Sequence, residues 1–213
     1  MLRYSLNNIN ISHNDLLRKL GYIKQTTDLT NNILKSINDV RCLAKKLIVP
    51  QCSLACERLL LNKNASITTD NGYNIKSYDV SKLLKDCFKI YGIVVTIGIH
   101  LENKVHYFIN RSDLFHAVVL DAAGSVAVEN VITSLNDQIK QYESNHNNLI
   151  TKRYSPGYGD WLLNKNQSLL DWLGASKIGI HINNSFQMKP EKSISAILGV
   201  AKSKEDISNK GLN

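Results

Sequence analysis

Between Asp28 and Ile48, apolar side chains recur at Leu29, Ile33, Leu34, Ile37, Val40, Leu43, Ala44, Leu47 and Ile48, and Pro50 closes the run. Spacings of three and four put them on one face of a 3.6-residue period, so the pattern predicts a long amphipathic helix. The period then changes. SLACERLLL (53–61) and ASITTDNGYNIKS (65–77) read as strands, the second turning at Asn71-Gly72, with helix left open for the first. Ser81 predicts the cap of a short helix through Phe88. YGIVVTIGIH, Tyr91 to His100, is rich in β-branched residues and apolar on both faces, which predicts a strand in the middle of a sheet.

DLFHAVVLDAAGSVAVENVITSLNDQIKQYE, following Ser112, predicts a helix of about 30 residues, capped by Ser112 with Asp113 in its first turn. The small residues from Asp121 to Ser125 allow a close approach to the backbone, either by a neighbouring helix or sheet or by a ligand. Glu129 projects from a neighbouring face, and if buried among Val, Ala and Ile it needs a partner. A short helix near Gln167 to Leu173 and strands over Lys177 to Ile182 and Ser193 to Val200 complete the reading. These elements predict an α+β fold, a mostly antiparallel sheet packed with long helices. The expected organisation is a single unit over 1–213, with an N-terminal lead at 1–25 and a flexible tail at 202–213.

Composition narrows the class. A chain of 213 residues with 43% hydrophobic content can bury a core. Its longest apolar run, Tyr91 to Ile99, is far short of the roughly 20 residues of a membrane span, and the first residues lack a signal-type apolar region. A soluble, cytoplasmic protein with no membrane partner is expected. Lys plus Arg number 26 against 18 Asp plus Glu, and the net charge of +8 favours an acidic partner: nucleic acid, a phosphorylated ligand or an acidic protein. The basic residues form no run of five and no helix-turn-helix, RRM or KH signature is present, so nucleic acid is not the expected partner. Four cysteines, Cys42, Cys52, Cys56 and Cys87, lack the spacing of a zinc site and are expected as free thiols, with no metal bound. No GxGxxG follows the strand, and His100, His106, His116 and His181 show neither HExxH nor a nucleophile elbow. A self-sufficient catalyst is therefore poorly supported.

The densest chemistry lies in RYSPGYGDW, Arg153 to Trp161. Pro156 fixes its own φ and biases Ser155 toward extended conformations, while Gly157 can take φ > 0, the signature of a type II turn. Arg153 offers a planar fork suited to a carboxylate, and Tyr158 a flat ring that can cover a planar partner. Backbone groups of such a turn are expected to face outward. Two readings follow: a site for a small molecule bearing a carboxylate, or a surface turn with Tyr158 and Trp161 tucked onto the core.

RYSPGYGDW resembles the Arg-x-x-Pro-Gly-Tyr loop of the reactivation domain of cobalamin-dependent methionine synthase. FQMKPEKSISAILGV, Phe186 to Val200, resembles that domain's Ser-Phe-x-Met-x-Pro segment running into a Ser-x-Ser strand, although Ile197 and Leu198 replace the family's aromatic pair. The likeness covers roughly Asp113 to Val200. It implies a C-shaped α+β domain that binds S-adenosylmethionine (SAM) in a shallow groove, where SAM gives the methyl group and a flavodoxin-like donor the electron that restore methylcobalamin. The resemblance implies that Arg153 pairs with the SAM carboxylate. It also implies that Ser155, Pro156 and Gly157 supply further contacts, that Glu129 touches the ligand, and that Tyr158 meets the corrin at the reaction centre. No cobalamin-binding Asp-x-His-x-x-Gly motif occurs, so cobalamin is expected on a partner chain, the cobalamin-binding core of methionine synthase. The implied role is a SAM-binding accessory subunit of a split methyltransferase in methionine biosynthesis. An activator of another corrinoid methyltransferase and a basic nucleic-acid-binding protein remain as alternatives.

Overall fold

The computed structural model describes residues 9–23 and 29–203. Parts of the expected lead (1–8 and 24–25), Asp28 at the start of the first expected helix, and the expected tail from 204 onward lie outside the described residues.

α1 (His13–Lys19) lies within the expected lead, started by Ser12 Oγ accepting the Asp15 N–H at 3.2 Å. α2 (Asn31–Leu47) is the amphipathic helix, capped by Thr30, with Ile37, Val40 and Ala44 buried. β1 (Gln51–Lys63) settles SLACERLLL as strand. β2 (Ser66–Thr69) and β3 (Asn74–Lys76) are the arms of the expected hairpin, with Gly72 at φ +86° and the Asn71 side chain accepting the Tyr73 N–H at 3.1 Å. α3 (Tyr78–Leu83) begins earlier than expected. Ser77, held extended at φ −164°, caps it by accepting the Val80 N–H, and the residues expected to end it open β4 (Cys87–Thr96) instead.

α4 (His100–Ile109) follows a glycine turn at Gly98, φ +81°, and was not expected. α5 (Leu114–Ser144) is the long helix, but Ser112 does not cap it: at φ +58° its backbone cannot take the extended form a cap needs. Asp113 takes that role, its carboxylate accepting the His116 N–H at 3.3 Å. β5 (Asn148–Ile150), α6 (Asn166–Leu173), β6 (His181–Ile182), β7 (Met188–Lys189) and β8 (Ser193–Lys202) complete the order. The strand expected over Lys177 to Ile182 shrinks to β6, because Ala175–Ile178 coils as a 3-10 turn that ends at Gly179, φ +76°. α5 is long and apolar enough to cross a membrane, yet 61% of its most apolar stretch is buried within the protein, as in a core helix.

The chain divides into two compact units, one of 1–51, 95–134 and 189–194, the other of 52–94, 135–188 and 195–213. In the first, the small residues of α5 serve close packing: a Cβ at Gly124 would come within 2.7 Å of Leu101 of α4. Lys192 bridges Asp121 at 2.7 Å and Ser125 at 3.0 Å. Nearby, Val105, Ile109, Ala117 and Ala122 line a groove of about 510 Å³. Glu102, nearly buried, accepts from Lys189 Nζ at 3.3 Å and the Glu191 N–H at 2.8 Å.

The second unit is built on a six-stranded antiparallel sheet in the order β3-β2-β1-β4-β8-β5. β4 is central and buried from Ile90 on, as its two apolar faces require. Its Gly92 is covered by the Trp172 indole of α6, on which Tyr73 stacks with ring centroids 4.4 Å apart. A buried carboxylate fastens α5 here. Glu143 accepts from Lys89 Nζ at 2.7 Å, Tyr91 OH at 2.5 Å and Asn148 Nδ2 at 2.7 Å. Burial alone would raise its pKa, but the hydrogen bonds from Lys89, Tyr91 and Asn148 outweigh that and hold it below the usual carboxylate range.

Candidate functional site

The Arg153 to Trp161 loop lies in the second unit and is sewn to β8. Thr151 donates its N–H to the Gly199 carbonyl at 2.9 Å and accepts the Gly199 N–H on Oγ1 at 2.9 Å. Tyr154 and Ile197 exchange backbone hydrogen bonds of 3.0 and 2.8 Å. Ser155 Oγ then donates to the Ser195 carbonyl at 2.7 Å, while Ser195 Oγ donates to Asn166 Oδ1 at 2.8 Å. The serines of the Ser-x-Ser strand thus differ in use, Ser195 anchoring the loop and Ser193 donating to the Pro190 carbonyl at 2.7 Å.

From this anchor the chain turns as expected. The Ser155 carbonyl accepts the Tyr158 N–H at 3.3 Å and Gly157 sits at φ +97°, the geometry of a type II turn. Trp161 is 1% exposed, and its burial draws the peptide back on the turn: Gly157 N–H donates to Trp161 O at 2.6 Å, and Trp161 N–H to Tyr158 O at 3.1 Å. Two N–H groups expected to face outward are therefore spent inside the loop. Pro156 is buried beneath the turn and Tyr158 is 66% exposed, meeting Tyr154 edge-on at 6.4 Å. The two readings of the loop divide between two side chains: Trp161 is tucked in and Tyr158 is presented.

A pair of carboxylates holds this presentation. Asp160 accepts from Ser77 Oγ at 2.5 Å and from the N–H groups of Tyr78 and Asp79 at 2.5 and 3.2 Å, at the start of α3. Asp79 accepts in return from the Asp160 N–H at 3.3 Å and from Tyr154 OH at 3.2 Å. The Ser77 hydrogen bond, with the backbone donors behind it, holds the Asp160 carboxyl below its ordinary pKa. Its folded-state value being depressed, this bonding is at full strength above the ordinary carboxylate pKa and fades as pH falls through the lower value. Sequence reasoning missed the clamp, because its halves are 82 positions apart and neither is a motif alone.

Gly159, at φ +51° between Tyr158 and Asp160, leaves no room for a Cβ, which would run into the Asp79 carboxylate and Tyr154 OH. Gly159→Ala is expected to force the clamp apart, costing about 2 kcal/mol and lowering the melting temperature by about 4–8 °C in a thermal scan.

Five of the expected site residues, Arg153, Ser155, Pro156, Gly157 and Tyr158, are thus on one anchored loop, with Arg153 half-buried. Glu129 is exposed on α5 in the first unit, so burial places no demand on it. The four cysteines are free; burial, assisted by Asp86, pushes the Cys87 thiol up to about 11 and keeps it protonated.

Residues 78–206 match the family described as vitamin B12 dependent methionine synthase, activation domain. The chain is similar in fold to a crystal structure of the MetH reactivation domain bound to AdoHcy, with a TM-score of 0.64, 12% identity, and 86% of this chain and 72% of that one covered. No curated protein matches the sequence.

Proposed function

The chain belongs to the vitamin B12 dependent methionine synthase activation domain family, and from that premise we propose that it binds SAM and supports the reductive reactivation of cobalamin-dependent methionine synthase. In this reading the cobalamin is carried outside these 213 residues, on the synthase core, and a flavodoxin-like protein gives the electron. The observation that carries the reading is the anchored type II turn, which holds Tyr158 two-thirds exposed while Asp79 and Asp160 are engaged within the clamp. Support also comes from the solved structure of similar fold, which is bound to AdoHcy, the demethylated form of SAM.

Bound SAM supplies the methyl group. The residues of this chain bind and orient it. Arg153 would hold the SAM carboxylate, for which a guanidinium fork is suited. With the Gly157 and Tyr158 N–H groups engaged inside the loop, the turn would offer a ligand its Pro156 and Gly157 carbonyls, acceptors suited to the SAM ammonium. Ser155, tied to Ser195, sets the level of that edge. Tyr158, exposed at the tip of the turn, would present its ring to a corrin and shield it from water.

Calorimetric titration with SAM and with S-adenosylhomocysteine tests the reading. Saturable binding is expected, weakened on the order of 10- to 100-fold in Arg153→Ala, as loss of a charge-assisted hydrogen bond of about 1.5–3 kcal/mol requires. No binding at millimolar SAM overturns it.

A further inference from the structure

The cluster that fastens α5 to the sheet gathers groups able to react with one another, all within the second unit. Lys89 stands on β4, Glu143 near the end of α5 and Asn148 at the start of β5. The two oxygens of one carboxylate divide the partners between them: Oε1 accepts from Lys89 Nζ at 2.7 Å and Oε2 from Asn148 Nδ2 at 2.7 Å. An amine and a carboxamide are thereby held side by side. The Glu143 side chain is 1% exposed, that of Lys89 20%, and Asn148 is 7% exposed, so little water competes for the carboxamide.

The other polar atom of that carboxamide is left over. Asn148 Oδ1 is buried and meets no donor among the described residues, although folded proteins satisfy the large majority of such atoms. It is the atom on which negative charge gathers when a nucleophile adds to Cγ. Held through Nδ2 alone, the carboxamide can turn toward Nζ without breaking a second hydrogen bond.

We propose that Lys89, Glu143 and Asn148 form a self-processing site that joins Lys89 Nζ to Asn148 Cγ in an intramolecular amide bond. Glu143 is the base. It takes a proton from Lys89 along their 2.7 Å hydrogen bond, and the exchange turns a buried ion pair into two neutral groups, a state that desolvation favours. The freed lone pair of Nζ attacks Cγ of Asn148, and the proton now on Glu143 passes to the departing Nδ2. The Cγ–Nζ bond forms, the Cγ–Nδ2 bond breaks, and Nδ2 leaves as ammonium. Of the three ammonium protons of Lys89, one stays on the new amide and two depart with Nδ2, so Glu143 ends as the carboxylate it began as and no oxidant is consumed. Because β8 lies between β4 and β5, the bond spans that strand and closes a covalent loop from Lys89 to Asn148. Such a loop restricts the unfolded chain as a disulfide does, without needing an oxidising compartment.

The test is intact-mass spectrometry, under denaturing conditions, of the full chain purified and then held at neutral pH over several days, with circular dichroism to show that it stays folded. The expected product is lighter than the sequence by one ammonia, and on digestion it yields a branched peptide that joins the segments carrying Lys89 and Asn148. Lys89→Arg, which keeps the charge beside Glu143, and Asn148→Ala are expected to retain the full mass. Glu143→Gln, which keeps the shape of the group but takes up no proton, is expected to form the bond at least about 100-fold more slowly, as removal of a general base requires. A folded, unsubstituted chain that keeps its full mass overturns the proposal. So does a loss of ammonia that persists in Lys89→Arg or maps to a succinimide at Asn71-Gly72, because the loss then arises elsewhere. Bond formation in Glu143→Gln at the rate of the unsubstituted chain also overturns it, since the carboxylate is then not the base.

Discussion

Glu143→Ala is expected to cost about 3–5 kcal/mol, a large share of the roughly 5–15 kcal/mol that keeps a domain folded. The carboxylate is 0% exposed and collects Lys89 Nζ, Tyr91 OH and Asn148 Nδ2 in one cluster. Removing it orphans three donors and leaves the Lys89 charge without its counterion, and a buried unpaired group costs more than the pair contributed. Urea unfolding at neutral pH is the measurement; a difference under about 1 kcal/mol would show that water reaches the cluster and takes over. The pH dependence provides a second readout. Because the folded-state pKa is lowered, the stabilisation is complete above the ordinary glutamate value of about 4.3 and is lost as pH falls through the lower folded value. The gap between the parent protein and Glu143→Ala is therefore expected to narrow in acid.

Gly92→Ala is expected to cost about 3 kcal/mol, or about 6–12 °C of melting temperature for a chain of this size. The added methyl would strike Trp172 Cζ3 and lie 2.8 Å from Cη2 and 2.9 Å from Cε3. The indole cannot swing aside cheaply, because Tyr73 stacks on it at 4.4 Å with the planes 12° apart. Nor can the strand retreat, since β4 is hydrogen-bonded on both sides. Tryptophan emission reports the displacement: the chain has 2 tryptophans in one core cluster, so the substitution is read in a Trp161→Phe background, where the signal belongs to Trp172. An unchanged spectrum and melting temperature would mean that the sheet opens locally to admit the methyl.

The sequence by itself determined those features whose causes are local. α2 and α5 were legible because a 3.6-residue apolar period is written into consecutive residues, and β4 because side chains apolar on both faces suit only a central strand. The Asn71-Gly72 hairpin and the Pro156-Gly157 turn were legible because the backbone freedom of glycine and the fixed φ of proline belong to the residues themselves. The family resemblance rested on the same loop and on the Phe186 to Val200 segment, and residues 78–206 bear it out.

Tertiary structure decided the rest. Either Ser77 or Ser81 could have capped α3; the choice fell to Ser77 because its backbone is extended and its hydroxyl is taken up by Asp160, far along the chain. Ser112 had the composition of a cap and lost the role to Asp113 when the turn after α4 drove it to positive φ. Trp161 and Tyr158 are alike to any reading of pattern, yet one is buried and the other presented, because the core cluster beside Tyr154 takes up Trp161 and its burial closes the return bond from Gly157. Lys89, Tyr91 and Glu143 are ordinary surface or core residues until a sheet and a helix bring them within hydrogen-bond reach. The reason is the same in each case: a hydrogen bond or a steric contact between distant residues exists only once the chain has closed the loop between them, and nothing in the neighbouring residues records it.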